Sequence, residues 1–305
     1  MGDKNNHPLL SIVLPVYNVE NYVDQAVETS KSLGSEVQII IVNDGSTDGT
    51  EQTINKYAEE ENISVYHCQH RGLGAARNAA IEMADGEYMM FLDGDDYFDI
   101  KGLRLITESL KQKKIDLFIF HWQLVSEKSE VMSLPNGSGD LDGMWLACWN
   151  KCYRRTIYSK LLFPEDVLFE DVSYAIRGYL MANSICFLKY PVIMHRHRND
   201  SISRTKLSLK KRKDVLVGFS ELYDGELRLT QKKVIDRIVV RTILTQVRKG
   251  MASQPVIDRQ SLDEFRLFLL KNRLMKFHLK IRDGIWGNFR QMVFLWLIVT
   301  KQYYI

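Results

Sequence analysis

"VQIIIVNDGS", residues 37–46, sets four β-branched residues in a row, Ile39 to Val42, before ending on Asn-Asp-Gly-Ser. A strand with one wet face alternates apolar and polar residues. An unbroken run is instead the pattern of a strand covered on both faces, as in a parallel sheet. The flanking segments fit such a sheet. Upstream, "LLSIVLPVY" (9–17) reads as a strand ended by Pro15, and "VETSKSLG" (27–34) closes a helix with Gly34 as its C-cap. Downstream, "STDGTEQTINKYAEE" offers Ser46, Thr47 and Asp48 as N-caps, with Glu51 near enough to help. Strand and helix then alternate: "ISVYHC" (63–68), "LGAARNAAIEMAD" (73–85), "EYMMFLD" (87–93), "KGLRLITESLKQK" (101–113) and "DLFIF" (116–120). Alternation of this kind predicts a doubly wound α/β sheet flanked by helices.

The remaining chain reads differently. Residues 126–143 turn polar and Gly-rich, and from about 206 onward the pattern is helical and rich in Lys and Arg. The division predicts a catalytic region over 1–205 and a basic helical region over 206–305. Residues 1–200 carry 19 Lys/Arg against 29 Asp/Glu, whereas residues 201–305 carry 22 against 9. An acidic front suits a bound cation, and a basic tail suits an anionic surface. The tail lacks the interleaved aromatics of a single-strand nucleic-acid binder, so a membrane surface is the partner expected there rather than RNA. The apolar run Met292–Val299 is eight residues long, far below the roughly 20 that span a bilayer. It reads as an interfacial anchor, a helical core or a contact in a homo-oligomer. The start is polar, with no signal-peptide pattern, and the four cysteines lack metal-ligand spacing. Both point to a cytoplasmic protein with reduced thiols, peripheral to the inner membrane face if the tail binds lipid.

In open α/β sheets ligands bind beyond the carboxyl ends of the strands. "GEYMMFLDGDDYFD" (86–99) crowds Asp93, Asp95, Asp96 and Asp99 at one such end. Like charges at this spacing cost free energy unless a cation lies among them. Taken singly, "DGDD" could be a solvated acidic loop and "NDGSTDG" a turn with helix caps. Taken together, "SIVLPVYNVENYV", "IIIVNDGSTDGT", "GLGAARNAAIEMADGEYMMFLDGDDYFD", "WNKCYRR" and "FPEDVLFEDVSYAIR" resemble, in order and spacing, the family 2 glycosyltransferases over residues 9–205.

The resemblance implies a GT-A, Rossmann-like, mostly parallel sheet with a C-terminal helical extension. It also implies inverting transfer of a sugar from a nucleotide diphosphate, with UDP the default and GDP or dTDP open. The acceptor would be a hydroxyl of a glycan or lipid-linked oligosaccharide of a bacterial surface. By resemblance, Tyr17 stacks on the base, Pro15 shapes its wall, Asp44 accepts a base N–H, and Glu20 reaches the ribose or base. Arg77 and Asn78 orient the diphosphate or Asp93. Asp93 contacts the ribose or donor sugar and, with Asp95 and a histidine, holds Mn²⁺ or Mg²⁺; Asp96 is a third acid there. His195 and His197 both qualify as that histidine, and His197 is the one taken as ligand. Arg196 and Arg198, in a closing loop after a last strand at 186–188, would clamp the pyrophosphate. Trp149, Asn150 and Lys151 line the acceptor side. Asp171 is the general base, supported by Glu170. The chain departs from the family at His70-Arg71-Gly72, where relatives commonly have Asn-x-Gly. A nucleotide-sugar-binding scaffold without catalysis is the alternative.

Overall fold

The computed structural model describes residues 7–133, 137–198, 207–224, 227–253 and 258–274. The apolar run at 292–299 and the Ser-Ile-Ser segment at 201–203 fall outside the described residues. The chain divides into two compact units, Met1–Asp166 with Glu170–Ser201, and Val167–Phe169 with Ile202–Ile305.

The first unit is a nine-stranded mixed sheet. The strands β1 (Leu10–Val16), β2 (Val37–Asn43), β3 (Ile63–His67) and β4 (Tyr88–Phe91) are parallel, in the order β3-β2-β1-β4. Their residues Ile39 to Val42 and Tyr88 to Phe91 are essentially inaccessible, as unbroken apolar runs require. Beyond β4 the sheet changes character. The short strand β8 (Lys151–Arg154) inserts antiparallel between β4 and β6 (Leu117–Val125). Parallel to β6 runs β9 (Ile185–Arg196), which ends the order with the two-residue β5 (Tyr97–Phe98), and β7 (Val131–Ser133) pairs with β6. The sheet is therefore less parallel than alternation alone predicts, because β8 and β5 return on their neighbours without a crossover helix.

Helices α1 (Val23–Ser30), α2 (Thr50–Asn55), α3 (Gly72–Met83), α4 (Ile100–Gln112), α5 (Arg155–Tyr158) and α6 (Glu170–Met181) connect the strands. The first of them ends earlier than expected. α1 stops at Ser30, and Gly34, with φ +62°, belongs to the 3₁₀ turn that follows rather than to the helix cap. α2 is held from outside as well: Asp48 Oδ1 accepts the Thr50 N–H at 3.0 Å and Glu20 Oε2 accepts the Gly49 N–H at 2.6 Å. Asp99, the last of the four acids, caps α4 by accepting the Gly102 N–H at 2.7 Å.

The second unit is helical: α7 (Leu209–Arg212), α8 (Val215–Asp224), α9 (Leu229–Ala252) and α10 (Arg259–Lys271). On α9, Ile235, Ile238, Val239, Ile243 and Val247 are buried at helical spacing, and Phe219, Phe265 and Leu269 complete that core. Among the described residues no helix is long and apolar enough to cross a membrane.

Candidate functional site

Strand β4 delivers its acids into a loop that turns at once, the Asp96 N–H donating to the Asp93 carbonyl at 2.9 Å. Gly94 sits in this turn for reasons of space rather than of backbone angle. A Cβ there would lie 2.9 Å from Val16 Cγ1 and 3.0 Å from Val19 Cγ2, so glycine lets the loop lie against the end of β1 without displacing those side chains.

The acids divide into different tasks. Asp96 is fully buried, its Oδ2 2.9 Å from His195 Nδ1 and its Oδ1 accepting the Arg196 N–H at 2.8 Å. Burial alone would lower His195, but the charge and hydrogen bond of Asp96, aided by Asp95 and Asp93, raise it to about 9. Trp149 stacks on the same imidazole at 4.9 Å, and Trp122 meets it edge-on at 5.4 Å. Asp93 and Asp95 instead keep 24% and 21% of their side chains exposed. Burial, then the like charges of Asp96 and Asp93, push Asp95 up to about 7, against the opposing pull of Arg198 and His195. Arg198 Nη1 lies 3.2 Å from Asp95 Oδ2.

Strand β9 runs further than the segment 186–188 that sequence marks, so His195 and Arg196 are strand residues and not part of a closing loop. Arg196 is consumed by the scaffold. Its guanidinium donates to the carbonyls of Asp95 and Glu127, each at 2.8 Å, and to Gln25 Oε1 at 2.6 Å. The rings of Tyr22 and Tyr97 lie 5.1 Å from it. His197 donates its backbone N–H to the Val125 carbonyl at 2.7 Å.

Arg77 of α3 is the central cation, 2% exposed. Nη2 donates to Asp93 Oδ1 at 2.7 Å, and Nη1 bonds Glu170 Oε1 in the first turn of α6. Its neighbour Asn78 holds the 163–165 segment, donating to the Phe163 carbonyl at 3.0 Å and to Glu165 Oε1 at 2.9 Å while accepting the Phe163 N–H at 2.8 Å. Asp171 follows Glu170 and, among the described residues, receives no hydrogen bond at its carboxylate. Burial and the adjacent Glu170 push it to about 7 even though Arg77 opposes them. A carboxylate poised there and free of donors can take a proton from a ligand hydroxyl.

Asn150 and Lys151, on the acceptor side by resemblance, are buried and structural in their contacts. Lys151 Nζ donates to the carbonyls of Trp145 and Ala147 at 2.7 Å and to Asn150 Oδ1 at 2.8 Å. Burial pulls it to about 7, and the three acceptors match the three N–H of its charged form. At the other side, Asp44 is 1% exposed, and its two oxygens accept the Arg71 and Gly72 N–H groups at 2.8 and 2.9 Å, closing the start of α3. His70 Nδ1 lies 2.9 Å from Asp44 Oδ2, and its ring stacks on Tyr17 at 4.2 Å. Pro15 is buried in β1 beside them, whereas Glu20 is exposed and occupied with Gly49.

Strand ends, acidic turn and acid-headed helix converge on one edge of the sheet, and comparison with known proteins settles the family. The model of glycosyl transferase family 2 matches residues 11–175. The chain belongs to that family. The chain is 29% identical over 218 residues to the uncharacterized glycosyltransferase EpsJ of Bacillus subtilis, covering 64% of this chain and 63% of EpsJ, so it spans less than two thirds of that relative. It is 25% identical over 237 residues to glycosyltransferase GlyG of Streptococcus pneumoniae, covering 70% of this chain and 79% of GlyG. The poly(ribitol-phosphate) β-N-acetylglucosaminyltransferase TarS of Staphylococcus aureus is 27% identical over 192 residues, which are 58% of this chain and 34% of TarS. In three dimensions it resembles TarS residues 1–349 in complex with UDP-GlcNAc, with TM-score 0.76 and 20% identity, over 96% of this chain and 91% of that one. A mannosyltransferase from Pyrobaculum calidifontis in complex with GDP-Man and Mn²⁺ follows at TM-score 0.58 and 13% identity, over 99% and 89%. The fold of the chain is thus GT-A, with a mixed sheet and C-terminal helices.

Sequence reading missed the pairing of Asp96 with His195, and the aromatic layer of Trp122 and Trp149 around that imidazole. The alternation of His and Arg at 195–198 was the available signal, but which of them faces the acids depends on how far β9 extends. The stacking of His70 on Tyr17 was also missed, for it needs the turn after β3 to fold back on β1.

Proposed function

We propose that this glycosyltransferase moves a sugar, with N-acetylglucosamine from UDP-GlcNAc the first candidate, to a hydroxyl of a surface glycan with inversion at the anomeric carbon. The observation that carries the reading is the Arg77 bridge, in which one buried guanidinium joins Asp93 of the acidic turn to Glu170, next to Asp171. Donor loop and proton acceptor are thereby held by one group. A sugar hydroxyl is a weak nucleophile and needs a base as its oxygen attacks. Asp171 takes the acceptor proton, the new glycosidic bond forms, and the bond between the sugar and the diphosphate oxygen breaks. A single displacement on the face opposite the leaving group inverts the centre.

The residues at the turn fit a divalent cation. Two partly exposed carboxylates, each facing one arginine on one side, are the donor set that Mg²⁺ or Mn²⁺ uses when substrate phosphates complete its shell. Among the described residues no group of three or more His, Cys, Asp or Glu is placed to hold a metal ion. Asp95 and Asp93 would hold the ion. His195, held through Nδ1 by Asp96 and raised to about 9, carries a proton near neutrality and so balances the acids rather than ligating the ion. When bound, the ion would neutralise the departing diphosphate. Tyr17, with His70 against one face, and Asp44 form the base end, and Arg198 faces the diphosphate side.

The test is UDP release from UDP-GlcNAc with a glycan acceptor, with GDP-mannose as the contrast, in Mn²⁺ and in chelator. Wild type should release UDP only with metal. Asp95→Ala should lose metal-dependent UDP binding, and Asp171→Asn should keep binding and lose turnover. UDP binding in all three with turnover in none would favour a scaffold instead.

A further inference from the structure

Asp171 can take a proton only if the segment that delivers it stays in place, and residues 163–169 lead into that helix by an uncommon route. The front of the segment is fixed to α3. Asn78 bonds the Phe163 backbone and Glu165 Oε1, and Arg71 Nη2 pairs with Glu165 Oε2. The far end is fixed as well, because Glu170 is bound to Arg77. Between these anchors lie two left-handed residues, Asp166 with φ +58° and Phe169 with φ +66°. A short polar side chain such as aspartate tolerates that region. For a bulky phenylalanine it is a costly conformation that persists only where the surroundings impose it. Phe169 stands immediately before the acid pair Glu170–Asp171.

A partner from far along the chain supplies the constraint. Val167, Leu168 and Phe169 belong to the helical unit, and the chain re-enters the sheet unit at Glu170. Within the helical unit the Leu168 N–H donates to Asp214 Oδ2 at 3.3 Å. Asp214 stands directly ahead of α8, where an aspartate ordinarily accepts from the first amides of its own helix. Among the described residues this half-buried carboxylate instead accepts from Leu168, 46 residues away. Were that bond to open, Phe169 could relax out of the left-handed region and turn the peptide that leads to Glu170. Asp171 would move with it, and a displacement of about 1 Å at a reacting group can cost about 10² in rate.

We infer that Asp214 is a positioning residue for sugar transfer, holding Leu168 so that Phe169 stays left-handed and Asp171 stays where it can accept a proton. The assignment rests on the glycosyltransfer reading, because it acts through Asp171 as the base. The test, on the full chain in Mn²⁺, takes kcat and KM for UDP release from UDP-GlcNAc with water standing in for the acceptor. UDP affinity and hydrogen exchange of the peptide 166–174 are measured in parallel. Asp214→Ala should lower kcat at least tenfold and speed exchange of that peptide at least tenfold, with KM and UDP affinity within twofold of wild type. Asp214→Asn, which keeps an acceptor oxygen, should restore both. Phe169→Gly takes the positive φ without cost but loosens the link, so it should lower kcat in the same way, even if Asp214→Ala fails to fold. Unchanged kcat or unchanged exchange in Asp214→Ala would overturn the assignment. So would a loss of UDP affinity as large as the loss of kcat, the mark of general damage. Exchange reads the contact without turnover, so the assignment stays open to disproof even where wild type hydrolyses no donor. Absence of metal-dependent UDP binding in wild type would instead sink the glycosyltransfer reading.

Discussion

Arg77 has no water to fall back on, so its two carboxylates are its solvation. Removing one partner of such a buried cluster leaves a charge uncompensated, typically at about 3–5 kcal/mol. Arg77→Met should therefore lower stability by that order in urea titration, and Arg77→Lys, which reaches only one carboxylate well, by less. Asp171 gives a second expectation at this scale. A base must be unprotonated to act, and its pKa stands at about 7. The rate should therefore be low in acid and rise through neutrality, and kcat/KM against pH should show an acid limb near 7. Glu170→Gln removes the like charge that helps raise Asp171, so the limb should move to lower pH. An unmoved limb would show that another group titrates. Asp171→Asn should cost about 10²–10⁴ in turnover.

At the level of elements, α3 is fastened at both flanks. Its start is closed by Asp44, and its middle lies against residues 163–165 through Asn78. Gly74 allows that approach, since a Cβ there would come within 2.3 Å of the Pro164 carbonyl oxygen. Backbone must shift to admit one, so Gly74→Ala should cost about 1–3 kcal/mol, read as a lower melting temperature, and should also reduce turnover through displaced Arg77. The elements also show what a sequence can disclose. β1, β2 and β4 were legible because double burial writes an apolar run. β8 was not, since "KCYR" gains its strand identity only from β4 and β6 on either side. β9 extends beyond 186–188 and runs through Pro191. The sheet accommodates it opposite His121, where the register with β6 shifts, and the strand continues to Arg196. The same limit applies at the site. The crowding of acids could be read directly, but their division of labour could not, because Asp96 is set apart from Asp93 by partners 99 and 100 residues away, His195 and the Arg196 N–H.

On the scale of the whole chain the charge asymmetry has a measurable consequence. The 22 basic against 9 acidic residues of 201–305 should draw the protein to vesicles containing anionic lipid. Binding in a flotation assay should fall as salt rises from about 0.05 to 0.5 M, because the Debye length shrinks to a few ångströms. Salt-independent flotation would point to apolar insertion, and none at all would remove the membrane partner. The sheet order carries a consequence of another kind, in time. β4 is made early, yet the strand that covers its free edge begins only at Lys151, and the backbone amide that answers Asp96 lies 100 residues downstream at Arg196. At synthesis speeds of about 5–20 residues per second, roughly 5–20 s pass between the two. For that interval a nascent chain would display an open apolar edge capped by acids of which Asp96 still lacks its partners. Those acids repel a second such edge, so these charges would first act as guards against mispairing on the ribosome.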